Sequence, residues 1–342
     1  MHNPHAYLIH EPVMVDIIEN DIYKDYPDAF ALLLKDQTTQ RNILWATHDY
    51  EGHGAGYQSD DEIKQELITG INGSIIKPRV LKSKGSQTDR SKDKAEVFTP
   101  SWLCNFQNNI VDETWFGRRY VFNKDDVDNK MWEPYLTPVN HPADKPWTSY
   151  VAANRMEITC GEAPYLVSRY DTTTGEYIPL EKRIGLLDRK LRVVGENTQN
   201  MDDWLQYAEI AYKSIYGYEW QGDSLLLARE ALLISFIEYY QGKFHSTPAE
   251  DQITNIAHII SWNLWQMDGL KFVIPNSCHE EKIVHAGLFE STEKTVTCEG
   301  CEKGDYFRHN GIYCLIKDWE EKDPNTGEYG KTIRFVDLMK RK

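Results

Sequence analysis

The sequence predicts an α/β protein built on a doubly wound, largely parallel sheet, with an N-terminal extension and a Cys-rich C-terminal insertion. Two observations carry this expectation. Short apolar runs such as "YGYEW" and "LKFVIP" alternate with long helix-like segments, as strands joined by crossover helices do. Three strand-like runs also end in polar residues, at Glu157–Gly161, Glu219–Trp220 and Asp268–Gly269. Doubly wound sheets bind their ligands at such carboxyl ends.

The bulk numbers agree with one sizeable core. The chain has 342 residues, of which 41% are apolar. No run reaches the roughly 18 consecutive apolar residues of a membrane span. The opening "MHNPHAYLIHEPVMVDIIEN" lacks the basic start and apolar stretch of a signal peptide. A soluble, cytoplasmic protein with no membrane contact is expected. The formal net charge of −15 opposes free-standing nucleic-acid binding, which draws on phosphate neutralisation. A basic cluster at 77–94 reads equally as a solvated loop or a local patch.

In chain order, residues 1–80 form a mixed extension. "YPDAFALLLKD" reads as a helix and "NILWATHD" as a strand, followed by Gly-rich turns. Residues 81–275 form the core. Its first helix starts at Pro100 with Thr99 as N-cap, and Leu103, Phe106 and Ile110 recur at helical spacing. Residues 117–150, rich in Pro and Trp, form an irregular insertion. "LEKRIGLLDRKLRVVGEN", "MDDWLQYAEIAYKSI", "GDSLLLAREALLISFIEYYQ" (capped by Asp223 or Ser224) and "QITNIAHIISWNLWQ" read as helices. Residues 276–342 hold the Cys-rich insertion and the last strands, "IYCLIKD" and "TIRFVD".

Each polar strand end has a particular use. A small or Gly-containing turn, such as Cys160-Gly161, lets the backbone approach a ligand. An acid at the next strand end, Glu219, can accept hydrogen bonds from ribose hydroxyls. A polar residue one strand further on, Asp268, can bind an adenine amino group. Together these groups suit a nucleoside-containing cofactor.

The motifs around them resemble those of the adenine-N6 DNA methyltransferases (the modification, or M, subunits) of restriction–modification systems. The family's "FTP" or "TPP" segment is similar to Phe98-Thr99-Pro100, and its "DPACGSGxFL" loop to Glu157-Ile158-Thr159-Cys160-Gly161-Glu162-Ala163-Pro164-Tyr165-Leu166. Ala163 stands where Gly is usual. "YGVEIDPxALxLAR" is similar to "YGYEWQGDSLLLAR", and "NIxxxDxL" to "NLWQMDGL". The resemblance covers roughly residues 90–275. It implies a class I S-adenosylmethionine (SAM) methyltransferase fold, Rossmann-like. Phe98, Thr99 and Pro100, with Glu157, Cys160 and Gly161, would then line the methionine end of SAM. Glu219 and Trp220 would hold the nucleoside, and Asp268 with Gly269 would meet its adenine. DNA would be reached through a partner or specificity subunit.

The family's catalytic "NPPY" is absent. Asp318-Trp319, an acid followed by an aromatic ring, is the nearest strand-end replacement, against the plainer reading of an exposed strand end. A catalytically silent SAM-binding subunit, and a methyltransferase on another amine, are the alternatives.

Six cysteines, at 104, 160, 278, 298, 301 and 314, crowd towards the C-terminus. "CEGC", with Cys298 and Cys301, is a zinc-knuckle spacing. Cys278 and Cys314 complete a four-ligand set for structural zinc, with His309 as the alternative ligand; free buried thiols are the other reading. The acids near His48-Asp49 and in Glu320-Glu321-Lys322 read as polar strand ends and loops.

Overall fold

The computed structural model describes residues 19–82, 99–286 and 291–340. Phe98, the N-terminal stretch read above for a signal peptide, and most of the basic cluster lie outside the described residues. The helices are α1 (Glu19–Asp25), α2 (Pro27–Leu34), α3 (Gln65–Ile68), α4 (Ser101–Phe116), α5 (Trp147–Ala152), α6 (Leu186–Asn197), α7 (Met201–Lys213), α8 (Gly222–Phe244), α9 (Glu250–Asn263) and α10 (Glu299–Lys303). The strands are β1 (Asn123–Asp126), β2 (Met131–Pro134), β3 (Arg155–Ile158), β4 (Ile215–Glu219), β5 (Leu264–Gln266), β6 (Glu281–Ala286), β7 (Ser291–Val296), β8 (Leu315–Lys322) and β9 (Tyr329–Arg334).

The fold is mixed α/β, and β3, β4 and β5 form a parallel sheet in that order. Ile158 aligns with Tyr218, Tyr218 with Trp265, and Glu219 with Gln266, so the three polar strand ends lie side by side. Helices α6 and α7 connect β3 to β4, and α8 and α9 connect β4 to β5. The strand order runs with the chain, and among the described residues it does not reverse as a doubly wound sheet does. The last strands differ from expectation too. β8 and β9 pair with each other as an antiparallel hairpin, and β6 and β7 make another. Ile316 and Ile333 of the β8–β9 hairpin pack, with Phe335, against Tyr218, Trp265 and Met267.

Helix α8 is buried over most of its surface, and it carries Arg229 fully inside. The guanidinium donates to the carbonyls of Leu33, Lys35, Ser261 and Leu264. One cation thereby joins the N-terminal extension, the end of α9 and β5. Helix α8 has Gln221 as its N-cap, two residues before Asp223 and three before Ser224. Gly222 leads it because a Cβ there would lie 2.0 Å from the Leu44 carbonyl oxygen. Asp223 is instead buried against Tyr50 Oη (2.7 Å) and Lys82 Nζ (2.9 Å). "NILWATHD" is extended and makes isolated bridges rather than a strand; Gln266 grips Leu44 through both its N–H (2.8 Å) and its carbonyl (2.8 Å). "LKFVIP" likewise contributes only bridges, from Val273 to Asp268 and to Tyr313.

Helix α4 turns its apolar spacing outward. Phe106 and Ile110 are exposed, while Asn105, Asn108 and Asp112 are buried. The reason lies in α6. The buried Arg189 pairs with Asp112 (2.5 Å) and donates to Asn105 Oδ1 (2.8 Å) and Asn109 Oδ1 (2.8 Å), so the polar face must turn inward. Pro100, not Thr99, is the N-cap, and the Asp171 carboxylate accepts the Ser101 N–H at 2.8 Å. The insertion at 117–150 contains the β1–β2 hairpin and the start of α5.

Candidate functional site

The loop after β3 is tightly wound. Thr159, Gly161 and Ala163 all have positive φ, at 52°, 53° and 57°. A non-Gly residue in this region is uncommon and strained. Ala163 thus adopts the conformation that Gly would favour at the position where the resembled family has Gly. The Cys160 side chain turns away from the strand ends into the core, where Gly217 leaves it room; a Cβ at 217 would lie 3.3 Å from its Sγ.

Glu219 closes the loop onto β4. Its Oε2 accepts the Gly161 N–H at 2.9 Å; its Oε1 accepts Trp220 N–H at 2.9 Å and Gln221 N–H at 3.2 Å. Burial pushes this carboxyl above its ordinary range, and those three N–H donors oppose the shift. A carboxylate has about four acceptor positions. Three are taken, which leaves Oε2 able to accept about one more bond. Trp220 donates its indole N–H to the Ala46 carbonyl at 2.9 Å, so the ring is anchored to the N-terminal extension.

Asp268 follows β5 and is buried. Its Oδ1 caps its own turn, accepting Leu270 N–H (2.9 Å) and Lys271 N–H (3.2 Å), and its Oδ2 lies 3.5 Å from Lys271 Nζ. Gly269 is needed there, since a Cβ would come 2.8 Å from the Tyr218 ring. Glu157 is partly exposed as a residue, but its Oε2 is sealed with no partner among the described residues. Burial pushes the Glu157 carboxyl well up, opposed by the Tyr165 and Leu166 N–H groups. Thr99 also comes to this loop, where its carbonyl accepts Thr172 Oγ1 at 3.1 Å. The structure therefore brings Thr99, Pro100, Glu157, Gly161, Glu219, Trp220, Asp268 and Gly269 to neighbouring strand ends and loops.

Asp318 and Trp319 are elsewhere. Trp319 donates its indole N–H to Asn263 Oδ1 at 2.8 Å, and Asn263 immediately precedes β5. The pair thus lies by the amino ends of the parallel strands, away from Glu219 and Asp268 at the carboxyl ends. Asp318 faces Lys331 across the hairpin register.

The Cys-rich segment does form a centre, with one ligand corrected. Cys278, Cys298, Cys301 and His309 gather, with their ligand atoms all within 4.8 Å of one another. Cys314 is not among them. It is fully buried, on the apolar cluster beside β5, with its Sγ 3.3 Å from the Gln266 carbonyl oxygen. His309 takes the fourth position, with Nδ1 3.6 Å from Cys278 Sγ, 3.5 Å from Cys298 Sγ and 3.6 Å from Cys301 Sγ. Zinc–sulfur and zinc–nitrogen bonds at tetrahedral angles imply S···N separations of about 3.6 Å. The cluster therefore fits a metal such as zinc in a closed four-ligand site.

The surroundings hold this shape. A Cβ at Gly300 of the knuckle would lie 2.7 Å from both the His309 N and its Nδ1, so Gly is required between the two Cys. Burial pushes the Cys298 thiol up, but the Asn310 and Cys301 N–H groups and His309 outweigh it and hold it at about 6. Cys298 is then ready to ligate as thiolate at neutral pH. Asp223 read in the sequence as a helix cap, and its partners Tyr50 and Lys82 are brought in by folding.

No family model, curated protein or solved structure matches the chain. Among the described residues no helix is long and apolar enough to cross a membrane.

Proposed function

We propose that this chain binds SAM at the carboxyl ends of β3, β4 and β5, and that it is a DNA methyltransferase of the adenine-N6 type from a restriction–modification or phage-related system. One observation carries the reading: the Glu219 carboxylate at the end of β4 grips the Gly161 N–H of the β3 loop, with Asp268 at the adjacent strand end. In this reading Glu219 Oε2 accepts a ribose hydroxyl, Trp220 lies against the adenine, and Asp268 Oδ2 accepts its amino group. Glu157, Thr99 and Pro100 face the methionine end, where carboxylates favour the sulfonium charge. SAM supplies the methyl group. Zinc in the Cys278–Cys298–Cys301–His309 centre is structural, since every position is filled by protein.

A second reading, a SAM-binding subunit without transfer activity, is favoured by a particular observation. The sequence lacks "NPPY", and Asp318-Trp319 lies by the amino ends of the sheet strands. With a net charge of −15, DNA would reach either form through a partner or specificity subunit. Calorimetric titration with SAM, followed by transfer of labelled methyl to mixed DNA, separates the readings. Binding with transfer supports the first; binding without transfer supports the second. No binding sinks both.

A further inference from the structure

We infer that metal in the Cys278–Cys298–Cys301–His309 centre orders the turn that carries Asp268, and so governs the nucleoside site; the second clause rests on the cofactor reading above. The turn and the centre are parts of one hydrogen-bonded unit. Asp268 donates its N–H to Val273 O at 2.8 Å, and Phe272 donates to Asp268 O at 2.7 Å. The same short segment then pairs with residues 312–314: Ile274 N–H donates to Ile312 O at 2.8 Å, and Cys314 N–H to Phe272 O at 3.1 Å.

Both arms of this pairing run into ligands. On one arm, Ser277 Oγ accepts the Ile312 N–H at 3.0 Å, and Cys278 is the next residue. On the other, the His309 N–H donates to Tyr313 Oη at 2.9 Å, and that hydroxyl donates to Tyr306 O at 3.0 Å. Tyr306 packs edge-on against Phe272, ring centroids 5.5 Å apart. An ion shared by Cys278 and His309 thus clips the two arms where the intervening chain departs and returns.

Lys271, within the same turn, holds its Nζ 3.5 Å from Asp268 Oδ2. With the ion removed, nothing clips the Cys278 arm to His309.

The test is amide hydrogen exchange on the full chain, zinc-loaded, chelator-treated and zinc-restored, with Cys278→Ser alongside. The expected result is loss of protection over 268–274 and 312–314 without zinc, full recovery on adding zinc to wild type, no recovery in Cys278→Ser, and unchanged protection in α8. Unchanged protection over 268–274 after metal removal overturns the inference. In the same samples SAM affinity is expected to fall by about tenfold or more without zinc, within the usual range of coupling between sites. Equal SAM affinity with and without zinc overturns the second clause. If the loaded protein takes up no SAM, the cofactor reading fails and takes that clause with it, while the exchange result still decides the ordering.

Discussion

Cys278→Ser is the most informative single change. Cys278 is the one ligand on the arm that leaves the β5 turn; Cys298, Cys301 and His309 all lie beyond the β6–β7 hairpin. Its loss leaves a three-ligand remnant that no longer joins the two arms. Cys278 lies 31 residues before His309. Closing a loop of that length costs about (3/2)RT ln n, or roughly 3 kcal/mol, and the ion removes this cost from the folded state's side. The expected effect is therefore a loss of about 3 kcal/mol in the opening free energy of residues 312–314, roughly a hundredfold in opening equilibrium. Native-state hydrogen exchange at constant free zinc measures it, with metal content measured on the same samples. Cys314→Ala is the control, since its thiol is buried but not a ligand: one metal per chain should remain. A Cys278→Ser chain that keeps its metal and loses less than about 0.5 kcal/mol, or a Cys314→Ala chain that loses the metal, refutes the assignment.

Other changes follow from the same geometry. Burial raises the Glu157 carboxyl above its ordinary 4.5, so its stability contribution is present at acid pH and lost as pH rises through the raised value. Glu157→Gln should match wild type near pH 4 and exceed its melting temperature by a margin that grows towards pH 8; a constant margin contradicts this. Arg229→Met removes every donor to the Leu33, Lys35, Ser261 and Leu264 carbonyls while keeping an apolar stem, and should cost about 3–5 kcal/mol in urea unfolding. Ala163→Gly relieves a positive φ worth about 1–2 kcal/mol but loses a buried methyl worth about 0.8 kcal/mol, so it should be near neutral. Ala163→Val, β-branched at φ 57°, should be strongly destabilising in the same melts.

The core was legible where local signals suffice. Helix α8 and strand β4 are long or strongly patterned, and the three polar strand ends fall side by side as their order along the chain implied. What escaped the sequence depended on distant partners. The inverted face of α4 follows from Arg189, 77 residues beyond Asp112. The pairing of β8 with β9 follows from local connection, and nothing in "IYCLIKD" or "TIRFVD" says which strand each will meet. Cys314 and His309 competed for one ligand position, and only folding puts Cys314 into the apolar cluster beside β5. Lys271 sits three residues from Asp268, a spacing common in solvated turns, and nothing local shows that Asp268 will be buried beside it.

The most direct measurement is calorimetric titration of SAM into zinc-loaded protein, wild type against Glu219→Ala, with circular dichroism to establish that both are folded. Wild type is expected to bind one SAM per chain, and Glu219→Ala to show no measurable binding while still folded. Equal affinity in the two proteins, or no binding by wild type, contradicts a SAM site built on Glu219.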